Sequence, residues 1–202
     1  MPFFPGSNID EKTFSSIDLS SQNFEGVTFR HCTFSDCNLS ETIFTACFIK
    51  NCRFINCDLS LIRTPKTCFQ ETFFKDSRMM GINWCIADWE AYSLISKKRV
   101  DFENCLLDHS LFINLDLSET QFLNCKAHHV DFEGANLTKA NFRGTDLEGT
   151  RFMNCDLSET DFAGAINYTI DAGQNKLHKT RFSLPEAIAL LHALDIVLED
   201  LD

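Results

Sequence analysis

Cysteine and histidine are the residues here with the most available chemistry. Cys32, Cys37, Cys47, Cys52 and Cys57 cluster early, and Cys105, Cys125 and Cys155 follow, so thiolate metal binding is the first chemistry to test. Zinc sites usually bring two cysteines within two to four residues. The intervals inside each group here are five or multiples of five, which is the spacing of something else. The one histidine pair, His128-His129, is adjacent, and neighbours on an extended chain point apart. Acidic residues recur at regular intervals and do not gather round a nucleophile. No Gly-rich phosphate loop, Gly-x-Ser-x-Gly or His-Glu-x-x-His is present. The expectation is a protein that is not an enzyme and has no cofactor and no metal.

The spacing of five belongs to the whole chain. Residues 131–162 read DFEGANLTKANFRGTDLEGTRFMNCDLSETDF, with Phe or Leu at 132, 137, 142, 147, 152, 157 and 162. Such centres run from Phe14 to Trp89 and again from Phe102 to Phe162. Two residues before each centre stands a small residue in most units, and the eight cysteines named above all occupy that slot; Cys68 and Cys85 do not. A large and a small side chain therefore point inward together, and the cysteines read as core. Period five fits neither a helix nor a flat strand.

Units such as Ala135-Asn136-Leu137-Thr138-Lys139 and Cys155-Asp156-Leu157-Ser158-Glu159 resemble the pentapeptide-repeat family. The resemblance covers residues 12–164 and implies an all-β solenoid, a right-handed quadrilateral parallel β-helix with four units per coil. Columns twenty residues apart agree with a four-sided coil. Phe102, Phe122, Phe142 and Phe162 form one, Leu117, Leu137 and Leu157 another, and Phe14, Phe34, Phe54 and Phe74 a third. The expected rod has about seven coils stacked at about 4.8 Å, roughly 35 Å in length.

Thirteen residues separate Trp89 from Phe102, and column composition makes eight of them extra. A projecting loop at 90–100 is expected, with Tyr92, Lys97, Lys98 and Arg99 as candidate partner contacts. Thr64 followed by Pro65 predicts a local bulge or corner distortion, since proline removes a ladder donor. Trp84 and Trp89 are expected to fill a widened interior. The expected organisation is an extension at 1–11, solenoid at 12–89, loop at 90–100, solenoid at 101–164, and a cap at 165–202. Ser183, Pro185 and Glu186 predict the start of a C-terminal α-helix. Its apolar residues Ile188, Leu191, Leu194 and Ile196 are the candidate homodimer interface, as in related pentapeptide proteins.

A net charge of −11 argues against direct nucleic-acid or anionic-membrane binding. The opening MPFFPGSNIDEK lacks the pattern of a signal peptide and no run of eighteen apolar residues occurs, so a reducing cytoplasm is expected. Column arithmetic stacks Asp116, Asn136 and Asp156, sets Asp131 against Arg151 and sets Asp146 against Lys126. Asp116, Asp131, Asp146 and Asp156 are the candidate acidic face. The Cys-rich FRHCTFSDCNL, the mid-rod interruption and the end LPEAIALLHALDIVL are similar to the quinolone-resistance (Qnr) branch of the family. That resemblance implies a DNA mimic that contacts DNA gyrase or topoisomerase IV and protects it from quinolones or toxins. The sequence departs from the branch in one respect: fives run unbroken through 47–59, where Qnr proteins carry a first loop. The alternative is a protein-interaction scaffold with another partner.

Overall fold

The computed structural model describes residues 6–90 and 100–194, with side chains through Leu191. The loop candidates Tyr92, Lys97, Lys98 and Arg99, together with Ile196 and the side chain of Leu194, lie outside the described residues.

The chain forms a right-handed four-sided parallel β-helix. On face 1, strands Thr13–Ser15, Thr33–Ser35, Arg53–Ile55, Thr72–Lys75, Val100–Glu103 and Phe122–Leu123 pair in parallel, each over the one twenty residues before except at the insertion. Face 2 is the bridge ladder Asp18, Asn38, Asp58, Arg78, Leu106, Lys126, Asp146, Ile166. Face 3 carries the paired strands Asn23–Glu25 and Ile43–Thr45 and the bridges upward from Arg63. Face 4 carries strands Asn8–Asp10, Thr28–Arg30, Phe48–Lys50 and Cys68–Gln70, then the ladder Asp116, Asn136, Asp156, Lys176. Phe74 pairs with Phe102, twenty-eight residues on, so eight residues are extra, as the columns require.

The corners explain the period. The residue two after each centre commonly adopts a left-handed backbone, for example Asp36 (φ 55°), Asn56 (φ 52°), His129 (φ 54°) and Gly149 (φ 66°). Asn, Asp, His and Gly tolerate that region best. Three extended residues and a corner make one side of the square.

Inside, phenylalanines stack coil upon coil. Phe34 and Phe54 are 4.7 Å apart at 3°, and Phe122 and Phe142 repeat those values. Opposite phenylalanine columns meet edge to face, as Phe122 and Phe132 do at 5.5 Å and 81°. Trp84 is fully buried, stacks on Phe112 at 5.7 Å and so fills the interior below the insertion. Trp89 is half-buried and donates its indole N–H to the Trp84 carbonyl at 2.8 Å.

Several expectations are corrected. Pairing already begins at Asn8. It also continues past 164: Lys176 bridges Asp156, Arg181 bridges Asp161 and Phe182 stacks on Phe162 at 5.4 Å, so the coil count differs from the expected seven. At Thr64-Pro65 pairing to the coil below is regular, with Arg63 bridging Ile43 and the proline carbonyl accepting from Ala46 N at 2.9 Å, while among the described residues no bridge joins Arg63 to Asn83 above. The C-terminal helix Glu186–Leu194 is 3-10, not α. Ser183, the expected N-cap, instead accepts Gly164 N–H at 2.9 Å, so its hydroxyl belongs to the rod.

Candidate protein-interaction surface

The inward slots are built for packing. All eight slot cysteines are free and buried. Their thiols lie against carbonyls; Cys37 Sγ approaches Phe14 O at 3.4 Å and Ser35 O at 3.2 Å. Burial pushes the Cys47, Cys57 and Cys155 thiols up to about 11 and Cys52 up to about 12, the reverse of what a thiolate ligand or nucleophile needs. His128 and His129 point apart: His129 stacks on His109 at 5.3 Å, while His128 Nε2 lies 2.9 Å from Asp146 Oδ2. An open depression of about 570 Å³ is lined by Gly134, Asn136, Asn154, Asp156, Gln174 and Lys176. Its charges, Asp156 and Lys176, bond each other at 3.1 Å.

What remains is the outer surface. The four candidate aspartates do not form one face. Asp116 and Asp156 share face 4, Asp131 is on face 3 and Asp146 on face 2. Neighbouring coils partner each of them. Asn136 donates to Asp116 at 3.0 Å, Arg151 to Asp131 at 3.3 Å, Lys176 to Asp156 at 3.1 Å and Asn167 to Asp146 at 2.8 Å. Lys126 bridges Asp146 in the ladder but turns its ammonium to Asp108 at 3.4 Å. Hydrogen bonds from Ser158, with Lys176 adding, outweigh burial and hold the Asp156 carboxyl below the usual range. For Asp146, burial opposes ionisation, and Asn167 and His128 together overcome it. Pairing of this kind is what stacked charges one coil apart require.

The acid surplus is nevertheless uneven. Residues 6–49 hold 6 acidic and 2 basic side chains and residues 100–194 hold 14 and 7, whereas residues 50–80 hold 3 acidic and 6 basic. Of the apolar end, Ile188 and Leu191 are exposed, with Leu184 at 79 %, while Ala189 and Leu190 pack against the core.

Two family models match the chain, "Pentapeptide repeats (8 copies)" over residues 23–60 and "Pentapeptide repeat region" over 95–167, together more than half of its length. The chain is a pentapeptide-repeat protein. Among solved structures it is similar to a trypsin-treated variant of QnrB1, a plasmid-mediated fluoroquinolone resistance protein. That likeness has 19 % identity and a TM-score of 0.65, covering 98 % of this chain and 93 % of that one. It is also similar to HetL from the cyanobacterium Nostoc sp. strain PCC 7120, a pentapeptide-repeat protein involved in heterocyst differentiation regulation. Here identity is 16 % and the TM-score 0.56, covering 89 % and 86 %. No match was found among curated proteins. Among the described residues no helix is long and apolar enough to cross a membrane.

One residue escapes the repeat logic. Leu61 occupies a left-handed corner (φ 60°) that elsewhere holds polar residues, Gly or Ala, and it is 55 % exposed. The signal was in the sequence: a bulky aliphatic stands two residues after a centre, where the pattern asks for Asn, Asp or Gly.

Proposed function

We propose that this protein is a non-enzymatic binding rod whose acidic C-terminal coils engage a type II topoisomerase, DNA gyrase or topoisomerase IV, at a surface that otherwise holds DNA. The observation that carries it is the net acidity of residues 100–194, 14 acidic against 7 basic side chains, in a Qnr-like rod. Carboxylates held at fixed intervals on a stiff solenoid offer a basic DNA-binding saddle a pre-organised substitute for phosphates. Homodimerisation through Ile188, Leu191, Leu194 and Ile196 would double its length. The uncovered Ile188 and Leu191 support that arrangement. A reducing cytoplasm suits the free buried thiols. Protection from quinolones or toxins follows if the rod competes with DNA for the enzyme they trap.

A second reading, a scaffold for another protein, is favoured by the spread of the candidate aspartates over three faces. Supercoiling by purified gyrase, titrated with this protein with and without a fluoroquinolone, separates the two. Inhibition or drug rescue at micromolar concentration supports the topoisomerase reading. An unchanged supercoiling rate with a folded protein supports the scaffold.

A further inference from the structure

The junction of faces 2 and 3 in the middle of the rod, with the outer side of face 3 beside it as far as Lys66 and Ile86, differs from the same stretch above it. In three successive coils its outward residues include Leu61, Arg63 and Lys66, then Arg78, Met80 and Ile86, then Leu106 and Leu111. The ladders place them side by side: Arg78 bridges Leu106, Asn83 bridges Leu111, and a Cβ on Gly81 would fall 2.7 Å from Leu61 Cδ2. Leu61, Ile86 and Leu106 are 55, 39 and 37 % exposed. Arg63 and Lys66 are exposed and make no ion pair among the described residues, and Arg78 reaches Asp58 at only 3.8 Å. One and two coils higher the same stretch presents Asp131, Glu133, Asp146 and Glu148 with Lys126 and Arg151, and there the bases are paired, Lys126 with Asp108 at 3.4 Å and Arg151 with Glu133 at 2.8 Å.

Leu61 is doubly unfavourable for folding alone. Left-handed backbone costs a branched residue about 1 kcal/mol or more relative to Gly or Asn. An isobutyl group left 55 % exposed contributes little in return. Strain and exposure together at one residue, inside a patch of apolar and unpaired basic side chains, mark a contact surface.

We infer that this junction binds an acidic segment of another protein that presents bulky apolar side chains, with Leu61 as the apolar anchor and Arg63, Lys66 and Arg78 pairing its carboxylates. Charge complementarity selects that occupant. The patch is a cationic part of a chain of net charge −11, which as a whole repels nucleic acid and anionic lipid. The inference goes beyond the topoisomerase reading, since it uses the opposite charge on a different part of the rod. Failure of the supercoiling assay would leave it untouched.

The test is fluorescence anisotropy with a labelled amphipathic peptide of Glu, Leu and Phe. The controls are the same peptide with Leu and Phe changed to Ser, and a DNA duplex of equal charge. The peptide should bind, and the controls should bind at least about tenfold more weakly. Arg63→Glu with Lys66→Glu should weaken peptide binding about tenfold or more. Leu61→Asn should weaken it about fivefold while the melting temperature stays level or rises, because Asn suits the left-handed corner. Absence of peptide binding at millimolar concentration, equal binding of either control, or binding indifferent to these variants overturns the proposal. Sedimentation that shows rod self-association, dispersed by Leu61→Asn, also overturns it, in favour of a second copy as the occupant.

Discussion

The lower coils and the upper coils solve the same corner in two ways. Below the insertion the phenylalanine faces and the Ile49 face end in open corners, and the next slot is often Cys, as at Cys32, Cys37, Cys47, Cys52 and Cys57. Above it most corners are closed by a bond from the slot N–H to the centre carbonyl, as Ala140 N to Leu137 O at 2.8 Å, and the slot is Thr or Ala. An open corner leaves its slot amide without that partner. In several coils the next one up supplies it through a hydroxyl: Cys47 N donates to Thr67 Oγ1 at 3.1 Å, Cys57 N to Ser77 Oγ at 3.0 Å and Cys125 N to Thr145 Oγ1 at 3.1 Å. Several open corners therefore depend on a neighbouring coil's hydroxyl for the slot amide, and closed corners satisfy that amide within the coil. Buried backbone groups must be paired either way.

Four perturbations, in descending size, probe that contrast. The phenylalanine stack is common to both regions, so Phe54→Ala and Phe142→Ala should each destabilise by about 3–5 kcal/mol in denaturant unfolding. A large inequality between them would mean the two cores differ. Thr145 both accepts from Cys125 N and donates to Phe122 O, so Thr145→Val strands two buried groups and should cost about 2–4 kcal/mol. Thr160 only donates, to Leu137 O at 2.7 Å above a closed corner, and Thr160→Val should cost about 1 kcal/mol. Equal costs would break the distinction. The third is alkaline pH. Burial raises the Cys47, Cys52 and Cys57 thiols above the ordinary value of 9.0, to about 11, 12 and 11. A raised pKa keeps its stabilisation below the unfolded value and loses it as pH climbs through the folded one. Stability should therefore fall between pH 9 and about 12, less steeply when Cys47, Cys52 and Cys57 are all replaced by Ala. Smallest, Gly149→Ala places a Cβ 2.3 Å from His129 Nδ1 at φ +66°, and Gly164→Ala meets nothing nearer than 3.8 Å at φ +73°. Both should cost about 1 kcal/mol for the backbone, with Gly149→Ala the worse by the shift of one imidazole.

Much of this was legible in the residues. Period five with a column period of twenty defines a four-sided coil. Column purity also gave the eight extra residues that put Phe74 under Phe102. The end of the rod was missed because Ile170 pairs with Phe152, eighteen residues earlier, which breaks the run of fives before Leu177 and Phe182 resume it. A search by columns would have found those two above Leu157 and Phe162. The C-terminal α-helix failed for another reason: Ser183 looks like an N-cap locally, and only the fold brings Gly164 N–H to its hydroxyl. The candidate acidic face failed by arithmetic already available, since positions 116, 131 and 146 are offset by fifteen residues and so sit on different sides of a twenty-residue coil. Leu61 is not legible from the repeat, because it matters by departing from the residues that recur.

The central claim is that the acidic coils take the place of DNA on a type II topoisomerase. Its most direct test is binding of this protein to purified gyrase, followed by surface plasmon resonance as duplex DNA is added. The account predicts micromolar binding that duplex DNA displaces competitively, with Asp116→Lys and Asp156→Lys together weakening it. Binding that DNA leaves unchanged, or no binding by a folded protein, would contradict it.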